Sequence, residues 1–142
     1  MHALLAPLPV GLWAGAFALD VASHVSVEPF TFPRASFWLV VVGLVAGVVT
    51  SVTGLPDLLR LDRDSPAWRL GVLHLVLSDI AVLGFLVSFL LRRDTDFNDA
   101  VSIPITLISG LAVALIVGTL LTGGRLTYGH GVGVADADDD RS

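Results

Sequence analysis

Six side chains stand out as the chemistry-bearing groups of an otherwise apolar chain: His2, His24, His74 and His130, and the carboxylates Asp20 and Asp79. Neutral imidazoles that converge have two familiar uses. Two of them serve as the axial ligands of a non-covalent haem, and about three, with an open position if the site is catalytic, hold a transition metal. His74, with His130 or His2 as its partner, is the expected ligand set for haem b or a His-bound transition metal. The alternative is that His74 is an interhelical hydrogen-bond donor and the terminal histidines are unrelated to it. Cysteine is absent, which excludes disulfides, thiolate zinc sites, iron–sulfur ligation and covalent haem attachment.

Asp79 is the clearest functional candidate among the acids, because an ionisable group in hydrocarbon costs about 2.5–3.5 kcal/mol on insertion scales. It is expected either to bridge helices through Thr50, Ser51, Thr53, Ser109 or Thr119, or, with Asp20, to handle protons or ions. His74 and Asp79 are five residues apart, about 140° around a helix, so they do not share a face. Asp20 and His24, four apart, do share one and are expected to hydrogen-bond each other. No nucleophile elbow, HExxH or calcium-loop pattern is present, and Gly129-His130-Gly131-Val132-Gly133 lacks the Lys and the following helix of a phosphate loop. No catalytic set is legible, and a non-enzymatic role is the expectation.

The elements that must position these residues follow from charge segregation. The chain has 142 residues, of which 15% are charged, yet stretches 1–19, 35–56, 70–91 and 100–124 carry one formal charge, Asp79. A bilayer core about 30 Å thick takes about 20 apolar residues to cross as a helix. Each stretch is that long, which predicts four transmembrane spans at about 3–23, 35–55, 67–91 and 102–122. Short connections make consecutive helices antiparallel neighbours. The expected fold is all-α, an integral-membrane up-down-up-down bundle forming a single domain over 1–134, followed by an acidic disordered tail over 135–142. Gly54-Leu55-Pro56 reads as the stop of the second span, and Asp64-Ser65-Pro66 as the capped start of the third. Gly11/Gly15 and Gly43/Gly47 are small-xxx-small pairs suited to helix packing. The five glycines between 123 and 134 predict a flexible or tightly turned segment.

This topology brings His2, His74 and His130 toward one membrane surface and sends His24, about 33 Å along a helix from His2, to the other. The first surface also receives Arg60, Arg63, Arg69, Arg125 and Arg141, against Arg34, Arg92 and Arg93 on the second. That bias places both termini in the cytoplasm of a cytoplasmic (inner) membrane protein. A net charge of −5 with no Lys excludes nucleic acid as a partner.

The strings His2-Ala3-Leu4-Leu5-Ala6-Pro7-Leu8-Pro9-Val10-Gly11-Leu12 and Gly54-Leu55-Pro56-Asp57, His74 in the third span, and Gly123-Gly124-x-Leu126-x-Tyr128-x-His130-Gly131-Val132-Gly133-Val134 resemble the prokaryotic membrane family DUF2231 over nearly the whole chain. The chain departs from the family where His-Pro is frequent and His2-Ala3 stands here. The resemblance implies a four-helix membrane protein, with His2, Asp57, His74, His130, Gly131 and Gly133 as motif positions. Some members are joined to Rieske-type or cytochrome c-like domains, which implies a redox setting and such a domain as partner. Three functions are expected in competition: a His-ligated electron-transfer component, a non-catalytic scaffold or accessory subunit capable of self-association, and a proton or ion conduit through Asp79.

Overall fold

The computed structural model describes residues 2–27 and 30–129. Among these every regular element is helical. A single turn α1 (His2–Leu5) leads into α2 (Pro7–Val25), α3 (Thr31–Leu59), α4 (Pro66–Arg92) and α5 (Ile103–Gly124), and α5 runs on into a π-helical turn, Arg125–Gly129. Four of these helices are long and apolar enough to cross a membrane, as the charge segregation requires. Prolines occupy the first turns of α2, α4 and α5, where a missing N–H breaks no intrahelical bond. Ser65 caps α4, its hydroxyl accepting from the Trp68 N–H at 3.1 Å, which satisfies one orphan donor of the first turn.

Two expected boundaries shift. Helix α3 does not stop at Gly54 but passes through Pro56 to Leu59; a membrane helix tolerates an interior Pro where neighbouring groups re-satisfy the backbone. Gly123 and Gly124 also stay helical rather than opening a loop. Gly123 lies against the His74 ring, where an added Cβ would come within 3.0 Å of Cε1, so close packing rather than turning explains it.

The helices form a ring in the order α2, α3, α4, α5, with the α2–α3 and α4–α5 seams packed more extensively than the two that close it. At its centre Trp13 stacks on Phe85, ring centroids 4.7 Å apart and planes 5° from parallel. Ala16, Val40, Ala81, Ala112 and Ile116 surround the pair. The Trp13 indole lies flush on α3: a Cβ on Gly43 would collide with its pyrrole edge, and one on Gly47 would lie 2.6 Å from Cη2. The Gly43/Gly47 pair therefore accommodates an aromatic ring. Gly11 has open space and Gly15 only an ordinary contact with Leu39, so the pair on α2 has no comparable role.

Candidate functional site

Two polar constellations lie at opposite ends of the bundle, separated by the Trp13–Phe85 core. At the end that gathers α1, the close of α3, the opening of α4 and the close of α5, a cavity of about 360 Å³ receives His2 and His74. Their ring centroids are 6.0 Å apart and their planes 87° apart. Each ring is held from behind. His2 Nδ1 is 2.8 Å from the Thr50 carbonyl oxygen, and His74 Nδ1 is 2.9 Å from the Thr119 carbonyl and 3.1 Å from the Thr122 hydroxyl. A carbonyl only accepts, so in each case Nδ1–H is the donor and the proton sits on that nitrogen. In the neutral ring this leaves the Nε2 lone pair free, and neither Nε2 has a hydrogen-bond partner among the described residues.

Helix geometry explains the placement. His74 enters eight residues after Pro66 on α4, about 12 Å along the axis, and meets the last turns of α5. The turn α1, closed by the Ala6 N–H bond to the His2 carbonyl, packs on α3 and is tied to it by His2 Nδ1 at the Thr50 carbonyl. Gly54 opens the space for that ring: a Cβ there would lie 2.7 Å from His2 Nδ1. The two helical glycines 54 and 123 thus each seat one imidazole. Asp57, on the last turn of α3, lines the same cavity and is half-buried. The remaining wall is largely apolar, including Pro9, Val10, Leu58, Ile116 and Leu120, with the π-turn residues Leu126 to Tyr128 alongside. π-turns recur at functional sites.

Of the three expected converging histidines, the structure brings His2 and His74 together. His130, Gly131 and Gly133 lie outside the described residues. Among the described residues no group of three or more His, Asp or Glu side chains is close enough to hold a metal ion, so His2 and His74 form a pair and not a three-ligand cage.

At the other end the expected Asp20–His24 pairing gives way to a different arrangement. His24 is exposed and its Nε2 lies 3.1 Å from the Thr106 hydroxyl. Asp20 turns inward and is paired with Arg92, both essentially inaccessible at 0% and 2% exposure. The pair is a two-pronged fork, Nη1 to Oδ1 at 3.0 Å and Nη2 to Oδ2 at 2.9 Å, the geometry that best offsets desolvation. Three serines complete it. Nη1 also donates to Ser36 at 2.7 Å, and Nη2 to Ser88 at 2.7 Å and Ser109 at 3.1 Å, while the Ser36 hydroxyl touches the Asp20 carboxylate. Every long helix contributes: Asp20 from α2, Ser36 from α3, Ser88 and Arg92 from α4, Ser109 from α5. Ser23 ties α2 to the connection between α4 and α5, accepting from the Val101 N–H at 3.1 Å.

Sequence reasoning missed Arg92 because, beside Arg93, it reads as an interfacial end marker. The signal was available in the topology: in an antiparallel bundle Asp20, Ser36, Ser88 and Ser109 all fall within a few turns of one surface. Asp79 also departs from expectation. It does not bridge to Thr50, Ser51, Thr53, Ser109 or Thr119 but is exposed on the outer face of α4, without a hydrogen bond among the described residues.

Residues 1–136 match the family model described as "Predicted membrane protein (DUF2231)". No curated protein and no solved structure matches.

Proposed function

The chain belongs to the DUF2231 family of predicted membrane proteins, and from that premise we propose that its His2–His74 pair binds haem b or a single transition-metal ion as a component of membrane electron transfer. The observation that carries this reading is the shared state of the two rings. Each gives Nδ1–H to a backbone carbonyl and keeps Nε2 free, the outer-shell arrangement that fixes tautomer and orientation in histidine ligands. The donor set fits as well. Two imidazole nitrogens each about 2.0–2.1 Å from one ion bring ring centroids to about 5–6.5 Å, and these are 6.0 Å apart. The bound group would supply a reversible one-electron couple. The chain's own residues hold it at the edge of the bilayer, exclude water with the apolar wall, and leave a carboxylate, Asp57, in the same cavity. The electron's source and destination would be a Rieske-type or cytochrome partner, the association that the family resemblance implies.

The test is an absorption spectrum with metal analysis of the full chain purified in mild detergent. A Soret band with about one haem per chain supports haem, and a stoichiometric metal without a Soret band supports the bare ion. The absence of both a Soret band and a stoichiometric metal would overturn the proposal and leave His74 as an interhelical donor in a scaffold. A conduit through Asp79 is less well supported, since that residue faces away from the bundle interior.

The proposal includes orientation. With Arg92 sequestered by Asp20, the second surface retains two exposed arginines, Arg34 and Arg93, the latter paired with Asp94, against the exposed Arg60, Arg63, Arg69 and Arg125 of the first, so the positive-inside bias favours cytoplasmic termini in the inner membrane of a prokaryotic cell. A C-terminal reporter pair should then be fluorescent as a cytoplasmic fusion and inactive as a periplasmic phosphatase. The reverse pattern would invert the assignment and put the histidine cavity on the outer face.

A further inference from the structure

Asp79 stands at the centre of α4, 13 residues from Pro66 and 13 from Arg92, which at 1.5 Å per residue is about 20 Å from either end. It is exposed and has no polar partner among the described residues. The surrounding positions repeat: Val76, Asp79, Leu83, Leu86 and Leu90 follow one another at intervals of three, four, three and four. The four apolar members are 38–57% exposed. That is the heptad seam of a left-handed helix pair with one polar residue set into it. Of the four spanning helices α4 is the least buried. At the same depth the exposed positions of α3 (Val45, Val48, Val49) and α5 (Leu111, Val117) are apolar, so the polar group marks one face only.

We propose that this face is the interface of a parallel homodimer in which α4 packs on α4 of a second copy and Asp79 meets its own counterpart. The physical case for a second copy rests on depth and symmetry. All copies insert with one topology, so a two-fold axis must run along the membrane normal, the paired helices are parallel, and each residue sits at the depth of its equivalent. A carboxyl at the midplane thereby finds another carboxyl opposite. In its neutral form that group both donates and accepts, so two of them close a reciprocal hydrogen-bonded pair. A lone lipid-facing Asp is costly, and a single polar residue in an apolar seam fixes register and oligomeric state. The seam at intervals of three and four is self-complementary in that register.

The cysteine-free chain makes the test direct. Leu83→Cys and Leu86→Cys should form disulfide-linked dimers on mild oxidation in membranes, while Val45→Cys on α3 and Leu111→Cys on α5 should not. In detergent, scattering should give the mass of two chains for the parent. Asp79→Leu should weaken the dimer by about 5- to 30-fold, the range for polar interhelical contacts in membranes, and Asp79→Asn, which can still donate and accept, should keep most of it. A monomeric parent with no cross-link from either α4 position would overturn the proposal. So would equal cross-linking from Leu111→Cys, or an Asp79→Leu variant that dimerises as tightly as the parent. Helix content by circular dichroism separates loss of pairing from loss of fold.

Discussion

Replacing Arg92 by Leu, with Asp20 left in place, should destabilise the bundle by about 3–5 kcal/mol, the usual cost of removing one partner of a buried ion pair. The carboxylate of Asp20 would keep only the Ser36 hydroxyl and lose both prongs of the guanidinium fork. Its side chain is too short to reach water. The reciprocal change, Asp20→Leu, should cost less. Arg92 occupies the last turn of α4, and a long side chain there can carry its charge toward the interface. The double variant is the sharper test. With both charges gone, Ser88 and Ser109 still pair at 3.0 Å, Ser36 still reaches the Ala16 carbonyl at 3.1 Å, and two leucines fill the space. Replacement of a buried pair by apolar residues of similar volume is often neutral or stabilising. Stability should therefore return to about the parent value, with strong non-additivity between the two sites. Denaturant titration in micelles, read by helix content, measures all four forms. An Arg92→Leu variant that unfolds at the parent midpoint would show that the clasp contributes nothing.

The second large effect concerns the imidazole pair. His74→Ala and His2→Ala should each abolish stoichiometric occupancy by haem or metal, since two ligands are the minimum the proposed centre needs. A bulkier side chain behind a ring gives an independent check. Gly54→Ala places a Cβ 2.7 Å from His2 Nδ1 and must displace that ring from the Thr50 carbonyl. Gly123→Ala does the same more gently to His74, at 3.0 Å from Cε1. Loss of an outer-shell partner costs about 10- to 100-fold in affinity, and Gly54→Ala should fall toward the larger figure. Titration of haem or metal into the purified variants, followed by absorption, measures this. Full occupancy in His74→Ala would remove the ligand assignment. Unchanged affinity in both glycine variants would show that ring orientation is not what holds the centre.

The helical architecture was legible in the chain because its cause is one-dimensional. A span must be long and free of charge, and stretches 35–56 and 100–124 declare themselves by that criterion alone. Antiparallel order follows from short connections, and it carried His2 and His74 to one surface without any coordinates. The boundaries were less legible: Gly54 and Gly123 read as breakers, since residue type does not reveal that an imidazole lies against each.

What the sequence determined by itself is which residues lie at each depth of the membrane, because hydropathy and helix rise set depth along a span. What only the tertiary structure decided is which way those residues face. Asp20 turns to Arg92 rather than to His24, Asp79 turns out rather than in, and two carbonyls take the Nδ1 protons of the histidines. These outcomes depend on the rotation of each helix about its own axis. That rotation is fixed by where bulky groups such as Trp13 meet small ones such as Gly43 and Gly47 on a neighbour, and long-range contacts of that kind are not carried by the periodicity of a single helix.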